Sequence, residues 1–401
     1  MQVRNFRLKI ILLPIFLLFA TGCHASIKQK DSNQFSIGDS QNPHNLECNI
    51  TKGCDLKTLL RNALSPSIIT LSPGTYDIEA TEIVDSHCGN CQEHATSNKS
   101  TVGLIIKNKK LILRGHPTPN KVTIKTNAGF GIYIQGSEVT LENITISGGV
   151  RSEDENASDG AIVVRNSKVT LQNLQITNNN TRVENITQGV AGIIGREGAD
   201  MLIQNNSIIN NSWDGITLYR GAKATIKNNL IRQGRGVGVA TTWDSEAIVD
   251  GNKVSNYWKG IGAFGNSKMN MKRNEIKQMS AWGIASWGAG IRISAIDNVI
   301  SNSGRCGALL HSAKELNFQG NQFVKNGRNE ETHCPKAGVV WYRNLNRKNH
   351  NYWPENWAFE KNIFSDNYFD FGHIRNSKDL PIDPSDGFTS SFTSNKIQNS
   401  K

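Results

Sequence analysis

Between Gly131 and Val339 the chain repeats one phrase: a glycine, an apolar residue, then a short alternating or β-branched run closed by Asn, Gly or a charged residue. The glycine pairs are Gly131-Ile132, Gly160-Ala161, Gly192-Ile193, Gly215-Ile216, Gly238-Val239, Gly260-Ile261, Gly283-Ile284, Gly307-Ala308 and Gly338-Val339, and from Gly192 to Gly307 the step is 22–24 residues. Alternation of period two marks strands with one buried face, and a fixed period marks a solenoid whose turns bury one another. Helix-length periodicity is absent from this region, so the expected elements are short strands and turns.

Two further markers keep the same step. Asn206, Asn229, Asn252, Asn274, Asn298 and Asn321 each stand two residues before an apolar one, and Asn362-Ile363-Phe364 continues the series. Stacked turn over turn, each amide can bond the next and satisfy a buried bend that an apolar side chain could not serve. In the two preceding turns Ile144 and Leu174 fill that slot. Six residues before each slot stand Glu138, Lys168, Asp200, Lys223, Glu246, Lys268, Arg292 and Glu315. These predict a solvent-facing charge column that fixes turn-to-turn register, each exposed pair worth ~0–1 kcal/mol.

Nearer the N-terminus, Asp55 precedes apolar residues at helical spacing through Leu64. This reads as an N-capped helix plugging the first turn and covering an open sheet edge. Leu71-Ser72-Pro73-Gly74-Thr75-Tyr76 and Leu111-Ile112-Leu113-Arg114-Gly115 follow. With the Asn series, these segments resemble the right-handed parallel β-helix proteins of the pectate-lyase-like superfamily, over roughly Asp55 to Phe371. The resemblance implies an all-β, right-handed parallel β-helix solenoid of about ten turns with a short N-terminal capping helix, a rod of roughly 50 Å. It implies no particular chemistry, since one fold hosts many functions.

Arg4, Arg7 and Lys9, the apolar run Ile10–Ala20 and the small residues before Cys23 form an export signal. They resemble the bacterial lipoprotein signal, which implies lipidation at Cys23. The expected division is a signal at 1–22, a tether at 23–47, the β-helix with its cap at 48–375, and a tail or cap at 376–401. The expected place is the bacterial outer membrane, facing periplasm or cell surface. Six other cysteines suit an oxidising compartment: Cys48, Cys54, Cys88, Cys91, Cys306 and Cys334. Proximity favours Cys48–Cys54 and Cys306–Cys334. His87, Cys88, Cys91 and His94 have chelating spacing, but no second Cys pair completes a zinc site; a disulfide is expected there and no metal ligand is assigned.

With 45 Lys+Arg against 34 Asp+Glu the chain carries +11, a balance that favours acidic partners, or simply a solubilising surface. Basic residues are dispersed, so nucleic acid is not an expected partner. Counting four residues from each glycine gives an outward row: Gln135, Val164, Arg196, Tyr219, Thr242, Phe264, Trp287, His311 and Tyr342. The next position adds Arg165, Glu197, Arg220, Trp243 and Arg343, and just before the glycines lie Trp213-Asp214, Trp258-Lys259 and Trp282. Aromatic faces suit sugar rings and arginines suit carboxylate or sulfate. Insertions at 147–159, 177–189, 326–336 and 344–355 could cover this stripe or wall a cleft around it.

A lyase or epimerase needs a cation to neutralise a uronate carboxylate and a base for the adjacent proton. Arg196, Tyr219 and Arg220 are the expected catalytic residues. Asp214, Trp243, Phe264, Trp287, His311, Tyr342 and Arg343 are the expected substrate-binding ones. A divalent cation is the one cofactor such chemistry would call on, and no organic cofactor is expected. A hydrolase would pair carboxylates among Glu197, Asp214 and Asp244, but the polygalacturonase motifs are absent. The expected function is lyase- or epimerase-type action of a monomer on acidic polysaccharide, against a non-catalytic glycan- or surface-binding lipoprotein.

Overall fold

The computed structural model describes residues 42–86, 97–118, 120–311, 313–327, 337–343, 356–367, 369–375, 378–381 and 395–398. For 341–343, 369–375, 378–381 and 397–398 the description covers the backbone. Each central turn lays one strand in each of three parallel sheets, as Ala191–Arg196, Asp200–Gln204 and Ser207–Ile209 do. We call these sheets 1, 2 and 3. Among the described residues they hold thirteen, twelve and twelve strands, against the about ten turns expected. Sheets 2 and 3 are parallel throughout; sheet 1 ends in an antiparallel strand at each edge.

The predicted charge column is one register line of sheet 2. Glu138 pairs with Lys168, then Asp200, Lys223, Glu246, Lys268, Arg292 and Glu315 follow in order. Lys110 extends it, 3.4 Å from Glu138, and Arg292 lies 3.2 Å from Glu315. The Asn slots form a continuous buried ladder: each Nδ2 from Asn206 to Asn298 donates to the next Oδ1 at 2.9–3.0 Å. It runs on through Asn321 and Asn362 to Asn395, which the spacing did not reveal because 33 residues separate the last pair. Below it, Asn206 Oδ1 accepts the Leu174 N–H, so the apolar slot is still served.

One apolar core fills the rod from Cys48 to Phe364. Each buried Ile or Leu side chain stabilises it by about 1.5–3 kcal/mol. Asp55 caps the helix Leu56–Asn62 by accepting from Lys57 and Thr58 N–H, and Leu56 and Leu60 point into the core. Cys48 and Cys54 form the expected disulfide beside it. Cys23, Cys88, Cys91 and Cys334 lie outside the described residues. The first strand, His44–Cys48, pairs with Ser67–Leu71, so regular structure starts ahead of residue 48. Beyond residue 375, Lys378–Pro381 and Lys396–Gln398 both pair with the last turns, since open strand edges recruit backbone partners.

Candidate functional site

Three outward columns cross sheet 1. Val237, Lys259, Trp282, Cys306 and Ala337 share the first, and the Val237 N–H donates to the Asp214 carboxylate at 2.7 Å to extend it. Small or apolar residues (Thr217, Ala240, Gly262, Ala285, Leu309) form the second. Phe264, Trp287, His311 and Tyr342 form the third, as the glycine count predicts. One turn is out of phase. Gly160 pairs with Phe130 and Ala191, so Val164 is buried in the core and Arg165 stands between Gln135 and Arg196. Gly160 stands one residue earlier in its strand than Gly131 and Gly192 do in theirs, and a one-residue shift exchanges the faces of a strand.

The expectation that Arg196 and Tyr219 lie open on this face is corrected by the structure. The hairpin Thr81–Asp85 and Asn98–Lys107 ends sheet 1, and Ile83 packs in an outer apolar cluster with Phe130, Tyr133, Ile194 and Tyr219; Trp243 joins this cluster half-buried. Arg196 is fully buried, ion-paired to Asp85, 3.6 Å from Glu197 and over the Phe130 ring. These acids outweigh the burial and hold its pKa above the ordinary arginine value. Arg220 Nε donates to Glu197 Oε1 at 2.7 Å, and Arg165 Nε lies 3.5 Å from Glu197 Oε2. Of the expected catalytic trio, Arg196 and Arg220 are therefore brought together on one glutamate, Tyr219 packs in the apolar cluster, and Arg196 and Tyr219 are covered. Asp159, ion-paired to the buried Arg151, accepts from Ser100 Oγ at 3.0 Å and secures the hairpin.

The three turns that carry Lys259, Trp282 and Arg305 are built differently. Lys259 Nζ lies 4.0 Å from the Trp258 ring centroid, 5.1 Å from Phe264 and 5.3 Å from Trp282. Phe264 lies back over Gly262, where an added Cβ would come 2.6 Å from the ring. Arg305 sits 5.5 Å from the Trp282 ring, and Trp258 and Trp282 are 5.6 Å apart. Trp258 is 40% exposed. The result is an aromatic floor with a cation in it, which sequence reading assembled only as a list of residues preceding the glycines.

Asp214 is buried behind this floor. Burial pushes its carboxyl up to about 6, while the Val237 N–H, Lys259 and the Thr217 hydroxyl pull the other way. Burial lowers the Lys259 ammonium to about 8, opposed by Asp214. Burial and Asp214 together push the Tyr257 phenol up. Its hydroxyl has no hydrogen-bond partner among the described residues. The folded carboxyl at about 6, against an ordinary 3.8, keeps its proton where the unfolded chain has lost it. Stability from this group is therefore intact below pH 4 and falls as pH rises to 6, by roughly 2–3 kcal/mol. Urea unfolding of wild type and Asp214→Asn should diverge over that window, the variant gaining at pH 7; parallel pH profiles would contradict this.

Trp287, 48% exposed, stacks on His311 with ring centroids 4.7 Å apart at the far edge of the same strands. Cys306 is buried in an apolar cluster with Trp282 and Leu309. The side chains of Tyr342 and Arg343 lie outside the described residues. Of the carboxylates weighed for hydrolysis, Glu197 is held by arginines and Asp244 accepts the Gly221 N–H at 2.7 Å.

On the far side of Trp258 an open groove of about 770 Å³ runs along the corner between sheets 3 and 1. Arg235, Tyr257 and Trp258 line it, with Asn256, Gln278 and Asn302 from three successive turns. Those amides recur at the same step as the buried ladder, a signal by which the sequence could have shown them.

Strand order, ladder and register define the class as a right-handed parallel β-helix protein. The chain belongs to the family described as right handed beta helix region, whose profile matches residues 77–254 and 180–326. Similar solved structures include a periplasmic alginate epimerase, 12% identical over 89% of this chain and 86% of that one, with a TM-score of 0.42. The catalytic domain of an alpha-1,3-glucanase is 12% identical over 83% and 64%, with a TM-score of 0.44. A surface adhesin of Streptococcus pneumoniae is 13% identical over 80% and 83%, with a TM-score of 0.48. These likenesses describe the fold alone. No curated protein matches the chain.

Proposed function

We propose that this chain is an envelope β-helix protein, exported and anchored through Cys23, that binds an acidic polysaccharide on the outer face of sheet 1. The observation that carries this reading is the pair of half-exposed tryptophans, Trp258 and Trp287, flanking a floor that holds Lys259. Trp282 and Trp287 begin and end one strand. Five steps along it span roughly 16 Å, room for a short run of sugars. Aromatic faces take the C–H sides of the rings, and Lys259 and Arg305 meet carboxylate or sulfate.

Affinity electrophoresis through gels containing alginate, pectate or a glycosaminoglycan tests this. At least one polymer should retard the wild type. Trp258→Ala and Trp287→Ala should each weaken binding about tenfold, or ~1.4 kcal/mol. A double variant retarded like the wild type would sink the assignment.

A second reading keeps the lyase or epimerase chemistry and moves it from Arg196 and Tyr219 to Lys259. It is favoured by a lysine lowered to about 8 inside the aromatic floor, suited to take the proton beside a uronate carboxylate. Unsaturated product, followed by absorbance and lost in Lys259→Met, supports it; binding with no turnover on any polymer retires it.

A further inference from the structure

We infer that the corner groove is an extended glycan subsite that reads the hydroxyl groups of one sugar per turn of the rod. This rests on the glycan-binding reading above and adds a second track, parallel to the rod axis, that meets the first at Trp258.

The groove's polar side is a register feature. Asn256, Gln278 and Asn302 each follow a three-residue strand of sheet 3, Lys253–Ser255, Glu275–Lys277 and Val299–Ser301. Each has a left-handed backbone, with φ of 57°, 61° and 55°. That conformation accounts for asparagine but not for glutamine, which has no special ease there. Backbone bonds between turns hold the corner rigid: Gln278 N–H donates to Ser301 O at 3.1 Å, and Gly304 N–H to Met279 O at 2.9 Å.

The same column behaves differently lower on the rod. There Asn210 Nδ2 donates to Asn178 Oδ1 at 2.7 Å, so those amides serve each other. Asn256, Gln278 and Asn302 are exposed, and their amides make no hydrogen bond among the described residues. Three amides, each with donor and acceptor, therefore face a groove that Trp258 walls and Arg235 lines. Arg235 is held by the Thr187 carbonyl at 2.7 Å and sits over the Trp213 ring. Successive turns rise about 4.8 Å. That is close to the rise of one sugar in an extended polysaccharide, so a stretched glycan meets an amide at each residue. A side chain with donor and acceptor together suits vicinal hydroxyls, and the adjacent aromatic face suits the ring.

Calorimetric titration of the full chain with oligogalacturonates of two to six sugars tests the inference, with oligomannuronates as a second probe. Affinity should climb with length to the hexamer. The triple variant Asn256→Ala/Gln278→Ala/Asn302→Ala should lose at least tenfold on the hexamer and less than threefold on the dimer. Ser280→Trp leaves the amides intact but fills the groove, and should flatten the length dependence in the same way; matching circular dichroism melts confirm that both variants fold. If both bind the hexamer like wild type while Trp258→Ala does not, the groove inference is overturned and the sheet 1 site stands. If the wild type binds neither series at any length, both fail.

Discussion

Asn252→Leu is expected to destabilise the protein by about 3–5 kcal/mol, although leucine is the more hydrophobic residue. Asn252 Oδ1 accepts from both the N–H and the Nδ2 of Asn229 at 2.9 Å. Its own Nδ2 donates to the Ile226 carbonyl at 2.9 Å and to Asn274 Oδ1 at 3.0 Å. Leucine removes four buried hydrogen bonds at once and strands the Asn229 N–H, while Asn229 Nδ2 keeps the Ile203 carbonyl and Asn274 Oδ1 keeps the Asn252 N–H. A buried group left without its partner costs about 1–3 kcal/mol before relaxation. The hydrophobic gain is smaller, because the site is built to bond rather than to fill. Asn395→Leu, at the half-buried top of the ladder, is expected to cost less than half as much. Urea midpoints of the two variants check this. Equal shifts would mean that the ladder contributes no more inside the rod than at its end.

The second large effect is expected at Asp85→Ala, about 3–5 kcal/mol, because it leaves the fully buried Arg196 charge with Glu197 as its remaining acid of the two ion-paired to it. Removing both charges together, as Asp85→Leu with Arg196→Met, should restore most of that stability, since well-packed apolar groups replace a buried ion pair at little cost. Thermal unfolding of the single and double variants decides the matter. A double variant as unstable as the single one would show that the hairpin is held by something other than this pair. The result also bears on function, because an Arg196→Ala phenotype on polysaccharide would otherwise be mistaken for lost chemistry.

The difference between these two sites explains what could be read in advance. Asn252 was legible because its partners recur at a constant step, so one row of asparagines predicts its own stacking. Asp85 and Arg196 are 111 residues apart and belong to no repeat. Their meeting depends on a hairpin inserted once, and nothing periodic announces where an insertion folds. The Lys259 site falls between. Its aromatics were visible before the glycines, but Phe264 reaches Lys259 only because Gly262 leaves the strand surface empty between them.

The amino-acid sequence by itself determined the solenoid, its capped first turn, the buried asparagine ladder and the charge column of sheet 2. All of these follow from a fixed step that turns sequence distance into vertical neighbourhood. Only the tertiary structure decided which outward residues meet solvent. It buried Arg196 and Tyr219 under a hairpin and left Trp258 beside an open groove. The reason is that strand alternation sets which way a side chain points, whereas burial depends on what another part of the chain lays over it.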